Sequence, residues 1–398
     1  MAKAAILGFG TVGSGVYEVI EKNFDSIAQR IGEPLEVKYI VDIRDFPGTP
    51  FAEKVIHDFS VVENDPEVTV VAEVIGGATI AYDYTKRALK AGKSVATSNK
   101  ELVATHGAEL IALAKENHVN YMFEASVGGG IPIIRPMQRC MAANDIEEIS
   151  GILNGTTNYI LTKMIHENLP FETALQQAQE KGYAEKDPTA DVEGIDAQRK
   201  VAILASLAFG KHVYPDTVSA QGITKITLAD VEAADALGYV IKLIGHVKRE
   251  GEKTFAYVAP HLVSKNHMLA GVEDVFNAIM VKGNMVDEVM FYGKGAGKLP
   301  TASAVVADMI ECAKHADRNI PLHWEDTKET IIASAQQFAS AWFVRSEDGE
   351  EALRKALPVQ SVCQTDGVTA VITQPMNEEQ LTKALSGLSH VVTRMRVL

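Results

Sequence analysis

A glycine pattern near the start of the chain constrains the fold more than any other feature of the sequence. Residues 4–7 form an apolar, strand-like run, GFGTVG follows at residues 8–13, and a helical pattern comes next. In a GxGxxG, the first glycine makes a tight turn, the second lets the backbone approach a pyrophosphate, and the third lets helix pack on strand. We therefore expect a Rossmann-type α/β domain with a helix from about Ser14, in which a dinucleotide contacts Gly8, Phe9, Gly10, Thr11, Val12 and Gly13.

The second predicted strand, residues 35–41, ends in Asp42-Ile43-Arg44. An acid at this position binds the ribose hydroxyls of NAD, whereas an arginine two residues later is suited to the 2′-phosphate of NADP. Both are present, so the sequence leaves the choice between NAD and NADP open, and Arg44 is equally compatible with a solvated loop charge. Asp42 follows the glycines by more than the usual ~20 residues, which predicts an extended first helix.

Two further segments are expected where cofactor meets substrate, because ligands of doubly wound sheets bind at the carboxyl ends of the strands. The predicted strand 94–97 is followed by Ser98 and Lys100, although a structural lysine at a helix start would give the same pattern. A glycine-rich turn at 293–297 precedes a long helix, so we expect Gly297 to close over the cofactor. A plain loop would have the same composition.

A run of three glycines occupies residues 128–130. Glycines free the backbone to turn carbonyl oxygens inward, which suits a cation or the edge of a nicotinamide. A hinge between domains would have the same composition, and the two interpretations are compatible.

Residues 181–200 form an acidic stretch that ends on a lysine and runs into an apolar helix. Asp196, Lys200, Ile203 and Leu207 share one face of that helix, which changes from charged to apolar at Lys200. A lysine at the edge of a buried stripe, one turn after an aspartate, has a pKa that burial and charge both influence. A proton shuttle needs such a setting, although a surface helix with an ion pair would show the same local pattern.

The remaining patterns predict a second and a third domain. Residues 213–293 mix short strands with a helix, which indicates an α+β domain with a mixed or antiparallel sheet. From about residue 332 the order strand, helix, strand, strand, helix, strand is typical of a ferredoxin-like βαββαβ module, with a hairpin around Asp366-Gly367. We expect domains at 1–132 with a return helix at 300–330, at 133–299 and at 332–398.

Composition excludes several classes of protein. The net charge of −14, without a basic run, argues against nucleic acid and anionic membranes as partners. No apolar run approaches the ~20 residues of a membrane span, and the early strand leaves no room for a signal peptide. The scattered cysteines lack metal or redox spacing and indicate a reducing compartment, so we expect a cytoplasmic protein; they are Cys140, Cys312 and Cys363.

Six stretches recur together in order along the chain: GFGTVG at 8–13, TSNK at 97–100, EASVGGGIP at 124–132, LNGTTN at 153–158, GYAE through Lys200 at 182–200, and GAG at 295–297. With these stretches the chain resembles the homoserine dehydrogenases over residues 1 to about 330. The resemblance implies an NAD(P)-dependent oxidoreductase that interconverts L-homoserine and L-aspartate 4-semialdehyde, in the biosynthesis of threonine, methionine and isoleucine.

The resemblance also implies roles for individual residues. Lys100 and Lys200 match the two lysines assigned to catalysis. The acids that match groups binding substrate or ordering the lysines are Glu185, Asp191 and Asp196. The backbone carbonyls that match a sodium site are those of Glu124, Val127, Gly129 and Ile131.

The C-terminal module resembles an ACT domain, a regulatory fold that often binds an amino acid such as threonine. The stretch after its first strand, residues 346–350, lacks the usual Asp-x-Pro-Gly, which argues against the usual amino-acid pocket. A module of this kind exposes sheet edges that favour pairing with a second copy, so we expect a homodimer or homotetramer.

Two alternatives remain open from the residues alone. An aspartate-semialdehyde dehydrogenase would need a thiol nucleophile, for which Cys140 is the candidate near the domain junction, with no histidine close by in sequence. A non-catalytic NAD(P)-binding sensor would bind cofactor without consuming it, so turnover distinguishes it from an enzyme.

Overall fold

The computed structural model describes residues 1–365 and 367–398, which divide into two compact units. The first unit comprises Met1–Asp145, Ala202–Tyr214 and Gly293–Glu329, and the second comprises Ile146–Val201, Pro215–Tyr292 and Thr330–Leu398. The C-terminal module thus belongs to the second unit. Of the predicted hairpin turn, Asp366 lies outside the described residues.

The strands build one sheet in each unit. Their bounds are β1 Ala2–Leu7, β2 Leu35–Val41, β3 Val55–Ile56, β4 Val68–Glu73, β5 Ser94–Thr97, β6 Tyr121–Met122, β7 Ile146–Ile152, β8 Ser219–Ala220, β9 Tyr239–Glu250, β10 Lys253–Ser264, β11 Phe276–Gly283, β12 Asp287–Lys294, β13 Trp342–Ser346, β14 Val359–Thr365, β15 Val368–Thr373 and β16 Val391–Val397.

Helices connect and cover these strands. Their bounds are α1 Thr11–Lys22, α2 Phe24–Ile31, α3 Phe59–Asn64, α4 Thr79–Lys90, α5 Lys100–Glu116, α6 Gly155–Glu167, α7 Phe171–Glu180, α8 Thr189–Val192, α9 Ile195–Phe209, α10 Leu228–Ala236, α11 Lys298–Lys314, α12 Glu350–Ala356 and α13 Glu378–Leu385.

The sheet of the first unit is parallel and has the strand order β3-β2-β1-β4-β5-β6. Successive residues of β1 and β4 are buried, so both faces of the sheet are covered, which explains their near-continuous apolar sequences. The order reverses between β1 and β4, and ligands of such sheets bind beside this switch point. The predicted doubly wound sheet is confirmed.

Two predictions about the first helix were wrong. The helix begins at Thr11, directly after Gly10, rather than near Ser14. It is also not extended, because the chain leaves the helical conformation at Asn23 (φ −109°, ψ 21°) and a separate helix, α2, follows. Glycines inside α1 are tolerated because the helix packs so closely: a Cβ on Gly15 would lie 2.9 Å from the carbonyl oxygen of Lys298.

Helix α11, late in the chain, belongs to the first unit. Its apolar face contributes Ala302, Val305 and Met309 to the core that contains Ile6 and Val16. The glycine-rich turn at residues 293–297, which precedes α11, therefore lies in the same unit as the glycines at 8–13.

The sheet of the second unit is mixed, as predicted, with the order β12-β11-β7-β9-β10-β16-β13-β15-β14 and β8 beside β10. Sequence reading missed β9, which pairs with both β7 and β10. Buried polar side chains interrupt its apolar pattern. Lys242 donates to the Val272 carbonyl at 2.6 Å, and His246 Nε2 lies 2.7 Å from Glu148 Oε1.

The C-terminal module has the element order β-α-β-β-α-β and the strand order β16-β13-β15-β14. Its strand β16 also pairs in parallel with β10, where His261 is opposite Arg396 and Leu262 is opposite Val397. One of the two edges expected to be exposed is therefore covered within the chain. The other edge is β14.

Candidate active site

The glycines at 8–13 form a main-chain cradle in which each has a separate role. Gly8 has φ +87°, and its N–H donates to the Val41 carbonyl at 2.8 Å. A Cβ on Gly13 would collide with the Gly8 carbonyl oxygen, so α1 packs on β1 only with glycine there. Within the described residues, a Cβ on Gly10 would meet no atom within 4 Å, which leaves room for a phosphate at the helix start. The cradle fits a dinucleotide.

The acid and the arginine after β2 are paired with each other. Asp42 accepts from the backbone N–H groups of Phe9 (2.7 Å) and Arg44 (3.0 Å), and from Arg44 Nε (2.9 Å). Arg44 Nη2 also donates to the Phe9 carbonyl at 3.0 Å. The hydrogen bond from the guanidinium holds the pKa of Asp42 well below its usual range. Because the Arg44 side chain is 55% exposed, a phosphate could reach it.

Ser98 and Lys100 lie on either side of a helix cap that sequence reading did not single out. Asn99 caps α5 by accepting from the Leu102 N–H at 3.0 Å, and Lys100 is the first residue of that helix. The Asn99 amide also donates to the Gly77 carbonyl at 2.7 Å, which ties the loop after β4 to the end of β5. An asparagine directly before a helical pattern is the signal that identifies such a cap.

The glycine run at 128–130 packs directly against the glycine-rich turn at 293–297, and both lie in the first unit. A Cβ on Gly129, which has φ +56°, would collide with the Gly295 carbonyl oxygen, and one on Gly130 would lie 2.7 Å from Pro300 Cβ. Gly297 follows with φ +119° and precedes α11. Close packing therefore requires glycine at 129 and 130, and the positive φ favours it at 297, in each case independently of any ligand.

Glu124 uses its carboxylate within the protein. The two oxygens accept from the backbone N–H groups of Ile133 (2.6 Å), Ile134 (2.8 Å) and Arg135 (2.8 Å). The expected sodium site would therefore have to use its main-chain carbonyl, and this role stays a prediction. Val127 and Ile131, whose backbone carbonyls belong to the same expected site, are buried, as is Glu124.

In the second unit, Lys200 lies on α9 and is 7% exposed, next to Asp196 at 3%. Its ammonium donates to Asp196 Oδ2 at 2.7 Å and to the Leu153 carbonyl at 2.6 Å. The two residues form an i, i+4 ion pair, which is buried and does not lie on the surface as in the alternative interpretation. Burial makes this pair a stronger electrostatic element than an exposed one, since water screens it less.

Asn154 joins the acids of this cluster, and sequence reading gave it no role of its own. Its Nδ2 donates to Asp191 Oδ1 at 2.7 Å and to Asp196 Oδ2 at 3.0 Å, while its Oδ1 caps α6 by accepting from the Thr157 N–H at 2.9 Å. Burial, and then the charge of Asp196, raise the pKa of Asp191. Helix α6 begins at Gly155, directly after this cap.

Glu185 lies in an exposed loop before α8, where its backbone carbonyl accepts from Gln179 Nε2 at 3.0 Å. Among the described residues, its carboxylate forms no hydrogen bond or ion pair with Asn154 or Lys200, so its role stays a prediction. The described chain also contains no His, Cys, Asp and Glu group suited to a metal ion. Nor does any of its helices have the length and apolarity to cross a membrane.

Two family models match this chain, and both describe the same enzyme. "Homoserine dehydrogenase, NAD binding domain" matches residues 8–124, and "Homoserine dehydrogenase" matches residues 132–310. A homoserine dehydrogenase of Bacillus subtilis is 42% identical over 84% of this chain and 80% of its own length. The chain belongs to the homoserine dehydrogenase family. It is therefore an oxidoreductase with a domain for a nicotinamide dinucleotide.

Other homoserine dehydrogenases agree. One from Pseudomonas aeruginosa is 44% identical over 78% of this chain and 72% of its own. The structure of one from Thiobacillus denitrificans has a TM-score of 0.90 and 33% identity, and the match covers 100% of this chain and 98% of that one. A hyperthermophilic archaeal homoserine dehydrogenase mutant in complex with NADPH has a TM-score of 0.67 and 28% identity, covering 81% of this chain and 99% of its own. The family assignment favours homoserine dehydrogenase over an aspartate-semialdehyde dehydrogenase and over a non-catalytic sensor.

Proposed function

We propose that this chain interconverts L-homoserine and L-aspartate 4-semialdehyde, with Lys200 as the proton donor and acceptor. The observation that carries the assignment is the buried ammonium of Lys200 between Asp196 and the Leu153 carbonyl. When bound, the nicotinamide supplies the hydride chemistry. The protein supplies position, charge and the proton.

A positioned ammonium suits the charge that this reaction develops. Reduction of an aldehyde builds negative charge on its oxygen, and Lys200 would stabilise that charge and donate the proton. In the oxidation of an alcohol the same group, deprotonated, accepts the proton. Asp196 holds the ammonium and favours its charged form, while the Leu153 carbonyl orients it. Lys100, the second lysine of the proposal, rests on the resemblance.

We assign the substrate amine to the acids of this cluster. Homoserine carries an ammonium group, which carboxylates bind by charge-assisted hydrogen bonds. Asp191 and Asp196 are held side by side by Asn154, and an ammonium group placed against them would lower the raised pKa of Asp191. Glu185, on its exposed loop, is the third acid of the proposal.

We propose that NADP is accepted and NAD is tolerated. A 2′-phosphate would compete with Asp42 for the guanidinium of Arg44, whereas a ribose hydroxyl would compete with Arg44 for Asp42. The proposed cofactor-binding set also keeps Ser98, Lys100 and Gly297. A sodium ion held by the carbonyls of residues 124, 127, 129 and 131 remains part of the proposal, with a structural rather than chemical role.

The functional domains are proposed at 1–132 with 300–330, at 133–299 and at 332–398, in a cytoplasmic homodimer or homotetramer. An ACT-like role of the tail is supported by its element order, but Asp348 in its first loop already accepts from the Ser389 and His390 N–H groups.

Truncating the tail would be a poor test of assembly, because removing β16 uncovers β10. The proposal that β14 pairs with a second copy is tested by placing lysines at two of its exposed positions, in a Gln360→Lys, Gln364→Lys variant. Light scattering then measures the mass of the assembly. An unchanged mass would rule out assembly through β14.

Initial rates with homoserine test the proposed function directly. NAD and NADP are compared as acceptors, with and without threonine, and the reverse rate is measured with aspartate 4-semialdehyde. We expect turnover in both directions and a lower KM for NADP than for NAD. Cofactor binding without turnover would refute the enzyme assignment, and a strong preference for NAD would refute the role given to Arg44.

A further inference from the structure

The amide group of Asn154 lies between the carboxylates of Asp191 and Asp196. Asn154 is 6% exposed and directly follows Leu153, whose carbonyl accepts from Lys200. Its Nδ2 atom donates to Asp191 Oδ1 at 2.7 Å and to Asp196 Oδ2 at 3.0 Å. Because an amide nitrogen carries two hydrogens, this one buried group donates to both acids at once.

The cap of helix α6 fixes which end of the amide faces the acids. Asn154 Oδ1 accepts from the backbone N–H of Thr157 at 2.9 Å and from the Thr157 hydroxyl at 3.1 Å. A reversed amide would place its oxygen against two carboxylates and its NH2 group against the Thr157 N–H. Because both contacts would then be repulsive, the cap directs the two donors of Asn154 towards the acids.

Asp191 and Asp196 are close enough for each to oppose the ionisation of the other. Two oxygens bound to one nitrogen at 2.7 and 3.0 Å lie within about 6 Å of each other, where a like charge disfavours the charged form. Burial, and then the charge of Asp196, raise the pKa of Asp191. The hydrogen bond from Asn154 and the charge of Lys200 act in the opposite direction and lower that pKa.

We propose that Asn154 is a positioning residue that lets Asp191 and Asp196 carry charge at the same time. Asp196 then serves Lys200, whose ammonium donates to it at 2.7 Å, and Asp191 is available to the ammonium group of homoserine. Without a donor between them, two close carboxylates share one proton, and the substrate would meet a neutral acid. This use of Asp191 rests on the proposed function, whereas the bridging of the two acids does not.

The pH dependence of catalysis should report this role. Homoserine needs Asp191 in its charged form, so kcat/KM for homoserine should fall as the pH drops through the pKa of Asp191. Removal of the amide withdraws a hydrogen bond from the charged form, so that pKa rises and the fall begins at a higher pH. Well above this pH Asp191 is charged in either case, and kcat/KM should return towards that of the parent enzyme.

Asn154→Ser separates the amide from the helix cap. Serine caps a helix about as well as asparagine, so α6 and the melting temperature should be kept while the two donors to the acids are lost. We expect the acid side of the kcat/KM profile to move up by roughly one pH unit, which makes kcat/KM about tenfold lower at the acid end. Asn154→Asp also keeps the cap but adds a third carboxylate, so its profile should move further in the same direction.

Asn377→Ser is the matched control, because Asn377 caps α13 by accepting from the Gln380 N–H at 2.9 Å. Its pH profile should coincide with that of the parent enzyme. A carboxyl titration by NMR on protein with carbon-13-labelled aspartate gives a readout that does not depend on turnover. The resonance absent from Asp191→Asn identifies Asp191, and in the free Asn154→Ser enzyme it should titrate at a higher pH than in the parent.

Rates that fall equally at every pH, with the acid side of the profile unmoved, would show that Asn154 only supports the fold and would overturn the proposal. So would an Asp191 resonance that titrates at the same pH in the parent and in Asn154→Ser. If Asn154→Ser does not fold, the same two measurements on Asn154→Asp decide between these outcomes. If the titration moves as expected but the parent enzyme does not turn over homoserine, the bridging role of Asn154 stands and the proposed function fails.

Discussion

The cofactor cradle of the first unit and the lysine cluster of the second are built from different materials. The cradle is main chain from six consecutive residues, and its glycines matter because a Cβ would collide with backbone or block the approach of a phosphate. The lysine cluster consists mainly of side chains from three separate segments, joined by Asn154, with the Leu153 main-chain carbonyl beside them. A main-chain site depends on local conformation, whereas a side-chain site depends on the whole unit folding around it.

Removing the ammonium group of Lys200 should have the largest effect and should be confined to the chemical step. We expect Lys200→Ala to lower kcat by ~100-fold or more, with cofactor affinity kept, because the main-chain cradle is untouched. Steady-state rates and NADP titration measure the two quantities. Lys163→Ala is the matched control, since Lys163 also forms an i, i+4 ion pair but on α6. A Lys200→Ala enzyme with near-normal kcat would refute the assignment.

A methyl group added to the cradle should have the opposite effect, because it should weaken cofactor binding and not the chemical step. Gly13→Ala should raise the KM for NADP roughly tenfold, a cost of about 1.4 kcal/mol, and lower the melting temperature, because its Cβ meets the Gly8 carbonyl. Gly10→Ala is the informative partner, since its Cβ meets open space. It should weaken the cofactor while leaving the melting temperature of the free protein unchanged. Equal melting temperatures for both variants would contradict this account.

Loss of the Arg44 guanidinium should affect the choice of cofactor only. Arg44→Ala is expected to raise the KM for NADP by about fivefold, in keeping with an exposed charge pair worth ~1 kcal/mol, and to leave that for NAD unchanged or lower. The freed Asp42 would then be available to a ribose hydroxyl. An unchanged KM for NADP would show that Arg44 does not contact the phosphate.

The smallest expected effect concerns Glu73, a buried acid at the end of β4. Burial raises its pKa from 4.5 to about 7. The folded state then binds a proton that the unfolded state releases, so the stability that Glu73 contributes is present below about pH 4.5 and is lost as the pH rises through about 7. The melting temperature of Glu73→Gln, relative to that of the parent protein, should therefore rise by a few degrees between about pH 5 and pH 8. The exposed control Glu116→Gln should show no such trend.

The same contrast explains what the sequence could predict. The parallel sheet and the cradle follow from local patterns, and the Asp196–Lys200 pair follows because both residues lie one turn apart on α9. The bonds of Asn154 to Asp191 and Asp196 cross separations of 37 and 42 residues, which no local periodicity reports. Strand β9 was hidden for a related reason, since its buried Lys242 finds its partner in a distant loop. Local rules thus identify elements and miss the contacts that only the folded unit satisfies.

The parallel pairing of β16 with β10 also bears on how the protein folds during synthesis. Translation delivers β10 well before residues 391–397, so the edge at His261 and Leu262 must wait for its partner while the intervening segment is made at ~5–20 residues per second. An uncovered strand edge is a template for association with other nascent chains. Synthesis of the tail therefore competes with aggregation, and slowing translation between residues 265 and 390 should lower the yield of folded enzyme without changing its sequence.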